Sequence, residues 1–300
     1  MFRFVQQRAE PLPVRVLGKT GVTLPTLGFG TAAAGRRLNT RDAVRLYETA
    51  FHEGIRYFDT APEFAGYGSA QVQLRYLLKQ VRREVFLVTK CYEPDGERAL
   101  RLLETSLKEL GTSYADLVFV HSVGADKMDP NIVFGKQGTY AALMKAKSLG
   151  LTRFVGLSGH NRPSRFVQAM RHFEIDVLLN VVNFVDRHTY NFEEQVWPTA
   201  VRANIGLIAM KVFGGAQNPP PAALSHSTMP MTYHEMAFRY ALSQPRVCCA
   251  VIGMATHQEL QENLGRARRF YPLSAEEARR LSDVGARLAG QWSDHFGPVT

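Results

Sequence analysis

From Thr26 to Arg268 the chain repeats one pattern eight times, a short apolar strand followed by an amphipathic helix. The predicted strands are 26–31, 55–60, 85–90, 116–121, 152–158, 176–181, 205–210 and 247–252. The predicted helices are 41–53, 69–80, 97–110, 138–149, 163–172, 192–203, 233–243 and 256–268. Eight such units over about 250 residues predict an α/β fold of the closed (β/α)8 TIM-barrel type. Ahead of the barrel, Val14–Gly18 and Val22–Pro25 flank Lys19-Thr-Gly21 as a β-hairpin, and beyond it a helix over Ser274–Ala289 is expected on the barrel wall. Two connections are long for this architecture, Ser122–Lys136 and Val212–Thr232, the second with an Asn218-Pro-Pro-Pro221 run. The pattern has no boundary, so residues 1–300 are expected to form one domain. A doubly wound sheet lacks support, because Gly28-Phe-Gly30-Thr-Ala-Ala has no third glycine after the first strand.

Composition narrows the function classes. With 45% hydrophobic residues the chain can bury a large core, and no run of about 18 apolar residues suggests a membrane span. The N-terminus lacks the apolar core of a signal peptide, so a cytoplasmic location is expected. Cys91, Cys248 and Cys249 have neither metal-ligand nor disulfide-framework spacing and read as core thiols, with a reactive Cys91 as the alternative. A metal site is not expected. The +9 net charge is spread as pairs such as Arg36-Arg37 and Arg268-Arg269 without an aromatic platform. This predicts solvated helix faces rather than a nucleic-acid partner, with some attraction for a phosphorylated cofactor.

Three successive strands end in an ionisable residue: Asp59 in Tyr57-Phe-Asp-Thr-Ala-Pro62, Lys90 in Val85-Phe-Leu-Val-Thr-Lys90, and His121 in Asp116-Leu-Val-Phe-Val-His121. In a parallel barrel these ends converge on one face, where catalytic groups gather. The bland alternative is three satisfied polar residues in a barrel mouth.

With this set in order, the chain resembles the aldo-keto reductase superfamily from about Val14 to about Phe270. Supporting stretches are Leu27-Gly-Phe-Gly-Thr31, Phe58-Asp-Thr-Ala-Pro62, Gly156-Leu-Ser158, Ala209-Met-Lys-Val-Phe-Gly-Gly215, Ile252-Gly253 and Glu262-Asn263. The resemblance implies a nicotinamide-dependent oxidoreductase. A hydride would pass between the dinucleotide and an alcohol or carbonyl carbon while a tyrosine handles the proton. By the same resemblance the lysine lowers the tyrosine pKa, Asp59 holds Lys90, and His121 orients the carbonyl. The substrate implied is small and sugar- or polyol-like, with polar loop residues such as Asn183 and His188 near it.

The position where the family places its tyrosine, five residues after the aspartate, holds Phe64, and Tyr67 follows three positions later. Three readings stay open. Tyr67 folds back to supply the hydroxyl; His121, Glu63 or a water held by Lys90 takes the proton role; or the barrel has lost ordinary carbonyl reduction. The resemblance places the cofactor on Gly30 and Thr31, Ser158, Asn180, Met210, Lys211, Phe213, Gly214, Gly253, Glu259, Glu262 and Asn263. Gly159 stands where an asparagine would help hold the carboxamide, with His160 or Asn161 as substitutes. Glu259 lies four residues before Asn263, where a basic residue would bind the 2′-phosphate of NADP. A carboxylate there favours NAD, unless it only complements the helix dipole. Other classes remain: a lyase or epimerase that retains NAD, or a barrel kept for binding or regulation. The oligomeric state is left open.

Overall fold

The computed structural model describes residues 10–215 and 228–300. The Asn218-Pro-Pro-Pro221 run lies outside the described residues. In chain order the strands are β1 (Val14–Val16), β2 (Thr23–Pro25), β3 (Leu27–Gly30), β4 (Tyr57–Asp59), β5 (Phe86–Cys91), β6 (Ala115–Val120), β7 (Thr152–Gly159), β8 (Val177–Val181), β9 (Gly206–Met210) and β10 (Val247–Gly253). The helices are α1 (Ala32–Arg37), α2 (Thr40–His52), α3 (Ala70–Val81), α4 (Gly96–Leu110), α5 (Pro130–Val133), α6 (Thr139–Ser148), α7 (Pro163–His172), α8 (Phe192–Gln195), α9 (Trp197–Arg202), α10 (His234–Ser243), α11 (His257–Arg268) and α12 (Ala275–Trp292). Strands β3 to β10 are parallel and close into a barrel through pairing of β10 with β3. The expected (β/α)8 architecture is therefore present, with β1 and β2 as a separate antiparallel hairpin.

Side-chain alternation explains how the barrel both fills and functions. Tyr57, Phe86, Val88, Leu117, Phe119, Val177, Leu179, Ile208 and Cys249 form one buried cluster inside it. Leu17 and Leu24 of the hairpin join that cluster, so the hairpin closes the bottom of the barrel. Phe119 needs space that only glycine leaves, because a Cβ on Gly156 would stand 2.6 Å from its ring. Continuing with period two along each strand, Tyr57 leads to Asp59, Val88 to Lys90 and Phe119 to His121. The three ionisable ends thus face the barrel axis at its C-terminal mouth.

One prediction of local structure changes. The helix expected over 192–203 is broken into α8 and α9, because Pro198 has no N–H and its ring would collide with the Glu194 carbonyl in a continuous helix. The segment after β3, which the sequence pattern leaves unassigned, forms the short α1 across the mouth. The chain beyond α12 also turns inward. Asp186 accepts from Asn183 at 2.6 Å and lies 2.7 Å from His295 Nε2. Tyr190 Oη donates to the Gly297 carbonyl and accepts from the Phe296 amide.

All three cysteines are free and buried, and burial pushes the Cys91 thiol up to about 12, which removes the reactive reading. No helix among the described residues is long and apolar enough to cross a membrane. No group of metal-ligating side chains occurs among them either.

Candidate active site

The mouth holds an open cavity of about 290 Å³, walled by Gly30, Ala33, Arg36, Asp59, Tyr67, Lys90, His121, Ser158, His160, Leu179, Met210, Lys211, Phe213, Gly214 and Gly253. At its base the Lys90 ammonium uses all three of its donors. It bonds Asp59 Oδ1 in a short contact, the Thr60 carbonyl at 2.9 Å and the Tyr67 hydroxyl at 2.9 Å. Tyr67 in turn donates to Asp59 Oδ1 at 3.0 Å. Thr31 is buried behind this group and does not wall the cavity; its Oγ1 and its amide each reach the Asp59 carbonyl at 2.9 Å. It serves as a strut for the aspartate.

Tyr67 reaches the lysine because two loops approach to backbone contact. Ser69 donates its amide to the Gly35 carbonyl at 3.1 Å. A Cβ on Gly35 would meet the Tyr67 carbonyl oxygen at 2.2 Å, and one on Gly68, whose φ is +55°, would meet the Gly35 oxygen at 2.5 Å. The paired glycines seat α1 on the Tyr67-Gly68 turn and aim the phenol inward. Phe64 points the other way. It is 62% exposed and, with Glu63, edges a separate cleft against α4, so Glu63 is removed as a proton carrier.

Burial, and after it the charge of Asp59, push the Tyr67 hydroxyl well above the usual phenol range. The resemblance implies the opposite effect from Lys90; in the resting site burial and Asp59 outweigh it, and Tyr67 keeps its proton at neutral pH. Lys90 is pushed down by burial, opposed by Asp59. Burial, and then Lys90, hold His121 well below the usual imidazole range, so it is neutral. His121 walls the cavity, and its Nδ1 is buried with no hydrogen-bond partner among the described residues.

The expected cofactor residues divide into two groups. Gly30, Ser158, Met210, Lys211, Phe213, Gly214 and Gly253 wall the cavity. Gly214 and Gly215 have φ of +66° and +88°, which turns the chain sharply after β9. Phe213 is held by a stack on His234 with ring centroids 4.2 Å apart. Burial, followed by repulsion from Arg36, lowers Lys211 to about 8.

Asn180 requires correction. Alternation along β8 turns it outward, where its Oδ1 accepts from Trp197 Nε1 at 3.4 Å, and Leu179 takes the inward position. The α11 residues also stand off the cavity wall. Glu259 Oε2 accepts from the Ala255 and Thr256 amides at 2.6 and 3.1 Å in a capping box, and its Oε1 is 3.9 Å from Arg37. Asn263 spends its amide on the Glu259 carbonyl and on Arg266, and Glu262 lies outside with Gln258 and Arg266. Gly159 lacks a side chain for a steric reason: a Cβ would stand 2.7 Å from Phe166 Cζ. Beside it, His160 walls the cavity, 5.0 Å from the Phe296 ring. Asn183 is committed to Asp186 and the Lys211 carbonyl, and the His188 ring packs by Gly285 of α12, so neither faces substrate.

Sequence reasoning missed Arg36 and Leu179 on the cavity wall, and Phe296, which packs on His160 behind it. The parity of β8 with Val177 could have identified Leu179; Phe296 follows the last helix with no periodicity to place it.

Comparison with known proteins gives a consistent result. The sequence model of the group described as "Aldo/keto reductase family" matches residues 26–217. L-galactose dehydrogenase of Arabidopsis thaliana is 24% identical over 308 residues, spanning 92% of this chain and 94% of that protein. D-threo-aldose 1-dehydrogenase of a Pseudomonas species is 25% identical over 240 residues, 67% of this chain and 70% of that protein. In fold, an aldo-keto reductase from Bacillus halodurans in its holo form superposes with a TM-score of 0.74 at 20% identity, covering 95% of this chain and all of the other.

Proposed function

The chain belongs to the aldo/keto reductase family, a family of NAD(P)-dependent oxidoreductases, and from that premise we propose that it interconverts a small sugar- or polyol-like alcohol and its carbonyl compound, with Tyr67 as the proton donor. The observation that carries the reading is the Asp59–Lys90–Tyr67 group, in which a displaced tyrosine places its hydroxyl 2.9 Å from the lysine. Sugar-acting relatives such as the two dehydrogenases above support the substrate class. The reading takes the chain as one barrel domain.

A bound nicotinamide dinucleotide supplies or takes the hydride. The cavity suits such a group: the turn at Gly214 and Gly215 carries no side chains that would block a close approach, Lys211 adds a cation, and Met210 offers a polarizable face. Tyr67 turns its O–H from Asp59 to the carbonyl oxygen and gives up the proton. Lys90, already bonded to the phenol oxygen, stabilises the charge that develops there. His121, neutral, points its ring at the same oxygen and orients it. Asp59 keeps Lys90 charged inside a buried site.

NAD(H) is the proposed partner form. The Ala255 and Thr256 amides just ahead of α11 already carry the Glu259 carboxylate, whose charge opposes a 2′-phosphate there. Fluorescence titration with NADH and NADPH tests this. Tighter NADH binding is expected; tighter NADPH binding would mean that Arg37 takes the phosphate instead. The same titration across pH examines Lys211. Below about 8 Lys211 is charged and attracts the dinucleotide phosphates; above it the charge is lost. Affinity is expected to fall by up to about tenfold per pH unit past that point, and Lys211→Met should flatten the profile.

The glycine seat carries its own expectation. Gly35→Val pushes the Tyr67 turn outward, and kcat should fall about 100-fold, the scale of a 1 Å misplacement. Unchanged kcat in a folded variant would show that the seat does not position the phenol.

A further inference from the structure

Arg36 is the one cavity-lining cation whose task the proposed chemistry leaves undefined. Among the described residues it makes no hydrogen bond or ion pair, whereas its neighbour Arg37 faces Glu259. The charged side chains on the cavity wall are Arg36, Asp59, Lys90 and Lys211, and the single acid is spent on Lys90 and Tyr67. His121 and His160 are both held neutral by burial. The cavity wall is therefore cationic, and Arg36 makes no ion pair among the described residues.

The position of Arg36 says which molecule meets it. It directly follows Gly35, the residue seated against Tyr67 and Gly68, so α1 and the tyrosine turn form one packed unit. A carbonyl whose oxygen faces Tyr67 would lie against this unit, with Arg36 in electrostatic reach of both Tyr67 and Lys211. Ala32 and Ala33 beside Arg36 leave room for a substituent on the bound molecule. A guanidinium presents paired donors that match a carboxylate or phosphate, and Arg36, exposed at the rim of a cavity whose single acid is already bonded, is free to meet such a group.

We propose that Arg36 binds an anionic group, a carboxylate or a phosphate, carried by the substrate, so that the enzyme selects acidic aldehydes or hydroxy acids over neutral ones. The inference rests on the carbonyl-reducing reading and specifies its substrate class. The shared chemistry could also be met by the pyrophosphate of the dinucleotide, and the test separates the two sources.

The test compares kcat/KM for two matched pairs, succinic semialdehyde against butanal and glyceraldehyde 3-phosphate against glyceraldehyde, in the native enzyme and in Arg36→Gln. NADH and NADPH titrations accompany both. The expected result is a preference for the anionic member of at least one pair that drops tenfold or more in Arg36→Gln, with dinucleotide affinity changed less than twofold. Equal rates on both members, or a preference that survives the substitution, overturns the proposal. A tenfold loss of dinucleotide affinity with the preference intact also overturns it and assigns the arginine to the cofactor. If no aldehyde is turned over, the carbonyl-reducing reading fails. The anion site is then read by titrating 3-phosphoglycerate into the enzyme with NAD+: binding lost in Arg36→Gln upholds the site, and no binding ends it.

Discussion

Replacing Lys90 with methionine is expected to lower kcat by about 1,000-fold, within the range for loss of general acid–base chemistry. Methionine fills similar space but offers the Tyr67 oxygen nothing as negative charge develops on it. The substitution also leaves the buried Asp59 carboxylate without its cation, at a cost of about 3 kcal/mol or more. Lys90→Met paired with Asp59→Asn removes that charge, so the double variant should regain most of the lost thermal stability and none of the turnover. If the double variant is stable and active, Lys90 has a structural role only.

Tyr67→Phe is the second large effect, a fall in kcat of about 100- to 10,000-fold. It deletes one hydroxyl and keeps the ring, so the variant should fold normally. Two bonds disappear, those to Lys90 and Asp59, and both partners keep their contact with each other. Phe64→Tyr in the Tyr67→Phe background should not rescue activity, because Phe64 is 62% exposed and faces the cleft against α4. Rescue would mean that the turn can refold to bring position 64 inward, contrary to the Gly35–Gly68 seat.

What the sequence could tell depended on how local each signal was. Strand and helix rhythm is a local pattern, and it led to the barrel; parity along β4, β5 and β6 then brought Asp59, Lys90 and His121 together. Tyr67 was readable only as one of three alternatives, since its placement depends on contact between Gly35 and Gly68, which lie 33 residues apart in sequence. Asn180 was misplaced because residue type was weighed above parity; one position along a strand reverses the face. For Glu259 the sequence left a cofactor role and a first-turn acid as alternatives; the structure shows the second, since at the third helical position after Thr256 a capping box claims its carboxylate. The break at Pro198 was a local signal that the helical periodicity around it obscured. The inward turn of His295 and Phe296 depends on Asp186 and Tyr190, more than 100 residues earlier, and no local pattern encodes it.

The central claim is hydride transfer to a carbonyl carbon coupled to proton donation by Tyr67. Its most direct test uses reduced dinucleotide carrying deuterium at both C4 positions of the nicotinamide, with mass spectrometry of the product from the native enzyme and from Tyr67→Phe. The account predicts deuterium on the former carbonyl carbon, formed at least 100-fold more slowly by the variant. Product without deuterium, or equal labelling rates in the two enzymes, would contradict it; the first outcome would return the barrel to the NAD-retaining lyase or epimerase class.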